Sequence, residues 1–208
     1  MTEPAAMTYE SLVADIQTYV ERNDEPFLSQ IPRFIMLAEN RIASSEKPFG
    51  LVKTVEGTLN GPVLEKPVRW RKTKNFSLMV NGEQKFLFKR GYEYCRMYWP
   101  DRSKLDIPIY YADYDYEHFF IAPGPISNYP FELQYYERPA PLSSTNQTNW
   151  LTQYAPQTLL YGSLLAAQPF LKLPERIAEF QGFYNDAMAS ITGEDSKSIV
   201  DSSAVRAE

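Results

Sequence analysis

Apolar residues recur at helical spacing at both ends of the chain and give way to short alternating runs between them. Leu12, Ile16, Tyr19 and Val20 fall on one face of a first helix. Thr8 stands where it can cap that helix, and Glu10 lies in the first turn, where the helix dipole favours an anion. Residues 23–26 stop it. Ser29 and Pro32 open a second helix, since proline is tolerated in the first turn, and Ile31, Ile35, Ala38 and Ile42 form its apolar stripe. Residues 44–50 end it.

Over residues 51–136 the pattern becomes short segments punctuated by Asn60-Gly61-Pro62, Asn81-Gly82, Gly91, Pro100, Pro108 and Pro123-Gly124-Pro125. Asn81-Gly82, between apolar runs at 76–80 and 86–88, is a hairpin signal, because a type I′ turn needs positive φ at both central residues. Residues 110–121 alternate and predict one strand with Asp113, Asp115 and Glu117 on one face and Tyr114, Tyr116 and His118 on the other.

After a polar linker, Pro156 and Pro174 bracket helices at about 156–170 and 174–192, the last with Ile177, Phe180, Tyr184, Ala187 or Met188, and Ile191 in register. The predicted fold is α+β. Two N-terminal and two C-terminal helices form a four-helix bundle, and an antiparallel β domain is inserted between them. The expected boundaries are 1–50 and 143–192 for the bundle, 51–142 for the β domain, and 193–208 for a flexible C-terminal tail, which is small, polar and charged.

Composition narrows the chemistry. A single cysteine, Cys95, excludes an internal disulfide, and with the lone His118 it leaves too few soft ligands for a zinc site. The N-terminus has no basic start followed by an apolar core, and no long apolar run occurs, so the expectation is synthesis in the cytoplasm and no membrane contact. His118 lies in an aromatic strand with no nucleophile elbow, and every second residue along a strand is about 7 Å apart, too far for Asp113, Asp115 and Glu117 to share one ion. Gly57, Gly61 and Gly82 are scattered turn glycines, with no phosphate-cradling loop. No enzyme and no cofactor is expected.

Charge is unevenly placed. Residues 51–100 hold ten Lys/Arg against four Asp/Glu, a balance of about +6, while the rest holds eleven against twenty-two, about −11. Lys66, Arg69, Arg71, Lys72 and Lys74, with Lys85, Lys89 and Arg90 across the hairpin, predict a basic interface face. It is read as meeting acidic protein before nucleic acid, because the chain as a whole is acidic.

Two stretches carry a family resemblance. One is IPRFIMLAENRI at residues 31–42. The other contains Tyr135, Tyr136, Pro139, Pro141 and Leu142, then Asn149, Trp150, Leu151, Ala155, Pro156, Leu159, Leu160, Tyr161 and Gly162, and finally Pro169 and Phe170. Their wording resembles the head-to-tail adaptor (connector) proteins of short-tailed bacteriophages. The resemblance implies a dodecameric ring between the portal and the tail nozzle or tail fibres, around the channel that DNA crosses without sequence-specific binding. It also implies a location in the virion neck. Within that picture Ile199, Val200 and Val205 are expected to anchor the tail on the portal. A departure follows Arg41-Ile42, where the family continues in arginines and this chain has Ala43-Ser44-Ser45. The rival reading is a carbohydrate- or ligand-binding β module of a phage tail, using Tyr92, Tyr94, Tyr98 and Trp99 as stacking surfaces.

Overall fold

The computed structural model describes residues 6–45, 49–172 and 174–203. In chain order it has helices α1 (Tyr9–Val20), α2 (Glu25–Leu28) and α3 (Ile31–Ser45), then strands β1 (Val52–Leu59), β2 (Val63–Glu65), β3 (Trp70–Val80), β4 (Glu83–Phe86) and β5 (Phe88–Lys89). Helix α4 (Tyr92–Tyr98) precedes strands β6 (Leu105–Asp106), β7 (Tyr110–Asp113), β8 (His118–Ala122), β9 (Gly124–Pro125) and β10 (Tyr129–Glu137). Helices α5 (Trp150–Tyr154), α6 (Pro156–Leu171) and α7 (Ile177–Ser203) follow. These elements form two compact units, one of Met1–Leu51 with Arg138–Glu208 and one of Val52–Glu137.

In the helical unit, the Thr8 hydroxyl accepts the Ser11 N–H and the Ser11 hydroxyl accepts the Thr8 N–H, a reciprocal cap that starts α1. Ile31, Ile35, Ala38 and Ile42 of α3 are buried against α6, the most enclosed helix, with Leu159, Leu160, Leu164 and Leu165 all in the core. Gly162 permits the close approach. A Cβ there would lie 3.2 Å from the Ala38 Cβ and 3.3 Å from the Tyr184 ring.

The four-helix bundle with an antiparallel insertion is overturned, although the α+β class fits; of the expected flexible tail at 193–208, residues 204–208 lie outside the described residues. Six α-helices belong to the helical unit among the described residues, since the stretches read as a stop and as a linker also contain helices. Pro26 opens α2 from the first turn, and the Asn149 side chain caps α5. Nor does helix end at residue 192: α7 continues to Ser203. Once Phe180, Tyr184 and Met188 anchor a helix, each added residue gains a backbone hydrogen bond without a new nucleus, so a polar sequence without proline continues it.

The β unit is not one antiparallel sheet. One four-stranded sheet runs in the order β1-β10-β3-β4, a second in the order β2-β8-β7-β5, and β6 pairs with β9. The β5·β7 and β6·β9 pairs are parallel. Phe76, Leu78, Tyr111, Phe119, Ile121 and Leu133 form the main core. The predicted single strand at 110–121 is a hairpin of β7 and β8: the Asp115 carboxylate accepts the Glu117 and His118 N–H groups, each at 2.7 Å, and turns the chain.

Asn81 and Gly82 form the predicted tight turn between β3 and β4, with φ of 53° and 84°. Replacing Gly82 with valine is expected to destabilise the β unit by about 2 kcal/mol, since a β-branched residue resists positive φ. An unchanged urea midpoint would refute the role given to this turn.

Candidate functional site

Helix α3 carries Glu39 beside its apolar stripe, and the side chain is buried, with 6% of the residue exposed. Its Oε1 accepts the Leu142 N–H at 3.2 Å and the Asn149 Nδ2 at 2.7 Å. The same Asn149 amide donates to the Ala140 carbonyl at 2.9 Å, while its Oδ1 accepts the Leu151 and Thr152 N–H groups and so caps α5. Asn146 Nδ2 donates to the Pro141 carbonyl at 2.7 Å. Gln147 reaches α1: its carbonyl accepts the Tyr9 N–H and its side-chain oxygen the Glu10 N–H. The connection before α5 is thus tied to both α1 and α3.

Burial pushes the Glu39 carboxyl up to about 7, and the hydrogen bonds from Asn149 and Leu142 offset part of that rise. Sequence reading missed Glu39. The available signal was a carboxylate four residues after Ile35 and next to Ala38, on the apolar stripe itself.

Most residues carrying the family resemblance are packing and capping residues. Leu142, Leu151, Ala155, Leu159 and Leu160 are in the helical core. The Trp150 indole occupies the space a side chain on Gly50 would need. Arg41 lies 4.7 Å above the Tyr184 ring and donates to Gln181 Oε1 at 3.1 Å.

The structure places the predicted basic residues in different surroundings. The Lys66 side chain is 4% exposed and turns inward, where its Nζ meets Asp113 Oδ1 at 3.0 Å and the Asp115 carbonyl at 2.8 Å. It also lies over Trp70 and Phe119. Lys89 takes the other Asp113 oxygen at 2.5 Å. Burial alone would raise the Asp113 carboxyl, but hydrogen bonds from Lys89 and Lys66 hold it below the usual carboxylate value. Arg69 pairs with Glu137 at 2.6 Å, and Arg90 lies over Tyr94 and Tyr110. Lys72 and Lys74 on β3 and Lys85 on β4 are exposed, and Arg71 is half-buried.

His118 starts β8, with Nδ1 2.9 Å from Asp115 Oδ1, and belongs to the turn. Cys95 is buried, which pushes its thiol up. The tyrosines of the ligand-binding reading face one another: Tyr94 packs on Tyr98 and Tyr110, Trp99 on Tyr110, and Tyr92 on Phe120. Of the expected tail anchors, Ile199 and Val200 fall on the backbone of α7, with side chains outside the described residues, and Val205 lies wholly outside them. Among the described residues, no three His, Cys, Asp or Glu side chains gather to hold a metal ion, and no helix is long and apolar enough to cross a membrane.

No curated protein matches the chain. A family model described as SU10 adaptor protein matches residues 7–207, which includes both stretches of the resemblance and every described element. The chain therefore belongs to the SU10 adaptor protein family and is a structural, head-to-tail adaptor component of a phage virion.

Proposed function

We propose that the protein assembles into a ring, dodecameric in the manner the resemblance implies, between the portal and the tail nozzle or tail fibres. DNA crosses the ring without sequence-specific contact, and the protein is made in the host cytoplasm without touching a membrane. The family match along nearly the whole chain carries this reading.

Exposed apolar side chains on several helices of the helical unit support it. Met36 and Leu37 are exposed on α3, and Tyr19 of α1 with Ile177 and Phe183 of α7 are exposed elsewhere. A two-fold contact uses one patch twice, whereas a head-to-tail contact that closes into a ring needs two different patches on each copy. The exposed Lys72, Lys74 and Lys85, with Arg71, serve acidic protein partners. Ile199, Val200 and Val205 contact the portal, as the resemblance implies.

Negative-stain imaging and co-sedimentation with portal test the reading, with rings on the portal as the expected result. A monomer that ignores the portal would overturn it. A chain ending at Ile191 should keep its core and lose portal affinity; full affinity would refute the C-terminal contact alone.

A further inference from the structure

The sheet β1-β10-β3-β4 buries Phe76, Leu78, Val80 and Leu133 on one face. On its other face a single row crosses all four strands: Glu56 stands opposite Glu132, Glu132 opposite Ser77, and Ser77 opposite Phe86. Around this row the surface sinks into a hollow of about 500 Å³, lined by Glu56, Glu132, Ser77, Met79, Gln84 and Pro130 among others. Gln84 Nε2 donates to the Ser77 hydroxyl at 2.9 Å and fixes the floor.

Directly opposed residues of an antiparallel pair have Cβ atoms about 5 Å apart, where like charges repel. Neither Glu56 nor Glu132 belongs to an ion pair among the described residues. Further along the same face Met79 is 45% exposed and Phe86 52%. A solvated sheet face has no need of large apolar side chains beside two opposed carboxylates.

We propose that this face docks a basic, extended segment of another virion protein, with a lysine or arginine head between Glu56 and Glu132 and an apolar neighbour against Met79 and Phe86. The aliphatic stem of such a side chain lies along the apolar lining while its head reaches the carboxylates, and the hollow has room for it and its neighbour in an extended segment. A second copy is the poorer occupant, because five cations of its β unit are engaged within it and the exposed Lys72, Lys74 and Lys85 stand on paired strands, not on a free extended segment. Lys66 and Lys89 hold Asp113, Arg69 holds Glu137, Arg90 covers Tyr94 and Tyr110, and Arg96 donates to the Trp99 and Pro100 carbonyls. The proposal rests on the adaptor reading only in placing the partner in the virion.

The test is fluorescence anisotropy of the full chain with a labelled Ser-Arg-Val-Arg-Ser peptide, run beside Ser-Glu-Val-Glu-Ser. The arginine peptide should bind alone, weaken with salt, and lose affinity by about tenfold or more in the double variant Glu56→Gln with Glu132→Gln. The same double variant should melt higher than the parent, since it removes a repulsion, while Glu65→Gln with Glu93→Gln should leave binding unchanged. Absence of arginine-peptide binding, or equal binding by the double variant, would overturn the site. If the double variant instead changes sedimentation while peptide binding stays intact, the occupant is a second copy and the proposed partner is wrong. Peptide binding is read whether or not rings form, so a failure of the ring reading appears separately in sedimentation.

Discussion

Asn149→Ala lowers the stability of the helical unit by about 3 kcal/mol in urea unfolding, combining a lost cap of about 1 to 2 kcal/mol with a buried carboxylate deprived of a donor. The residue serves three elements at once: it caps α5, donates to Glu39 on α3 and holds the Ala140 carbonyl. Asn149→Asp separates these roles. It keeps the acceptor for the α5 N–H groups but sets a second carboxylate where the Glu39 partner was, at 2.7 Å. It should therefore be at least as destabilising as alanine at pH 8, and an Asn149→Asp protein as stable as the parent would show that Glu39 draws nothing from this amide.

The same contact gives stability a pH dependence of definite sign. Glu39 titrates near 7 in the folded chain against an ordinary 4.5, so the folded state retains a proton that the unfolded state releases. Its contribution is whole below about pH 4.5 and is lost as pH rises towards 7, at up to about 1.4 kcal/mol per pH unit. Glu39→Gln should flatten that part of the profile between pH 5 and pH 8. Parallel profiles for parent and variant would refute the assignment.

Gly162→Leu is the other large effect. Alanine at this position gains about 1 kcal/mol of helix propensity and loses a similar amount to the contacts at 3.2 and 3.3 Å, and is expected to be near neutral. Leucine adds three carbons with no space between Ala38 and Tyr184, so it should cost about 3 kcal/mol or leave the helical unit loosely packed. Near-ultraviolet circular dichroism of the tyrosine environment, read with the urea midpoint, measures both outcomes. A leucine variant with parental stability would mean that α3, α6 and α7 do not meet closely at this residue.

Local signals decided a good part of the molecule. The Thr8 cap, the Ile31-Ile35-Ala38-Ile42 stripe, the Pro156 helix start and the Asn81-Gly82 turn each depend on atoms within a few residues, and each appears in the structure as the spacing predicts. Where a short segment draws its stability from distant partners, the pattern misled. Residues 24–28 and 149–154 contain short helices that would not persist alone, and they form because Phe27 and Leu151 enter the helical core. The alternation at 110–121 looked like one strand because Asp115 reads as an outward residue, whereas its carboxylate bends the backbone back on itself.

Charge showed the same division. The excess of lysine and arginine over residues 51–100 was plain from composition, but composition cannot tell which cations will be consumed inside the fold. Asp113 lies far along the chain from Lys66 and close to it only after β7 and β8 pair with their neighbours, so that lysine became an interior partner and not a surface. The helix faces, the tight turn and the family were legible along the chain. The burial of Glu39 under the Asn149 amide, the division of the basic residues between interior and surface, and the facing of Glu56 and Glu132 came only with the packed fold. Each of these depends on residues brought together across many positions, where free energy depends on contacts that no local spacing encodes.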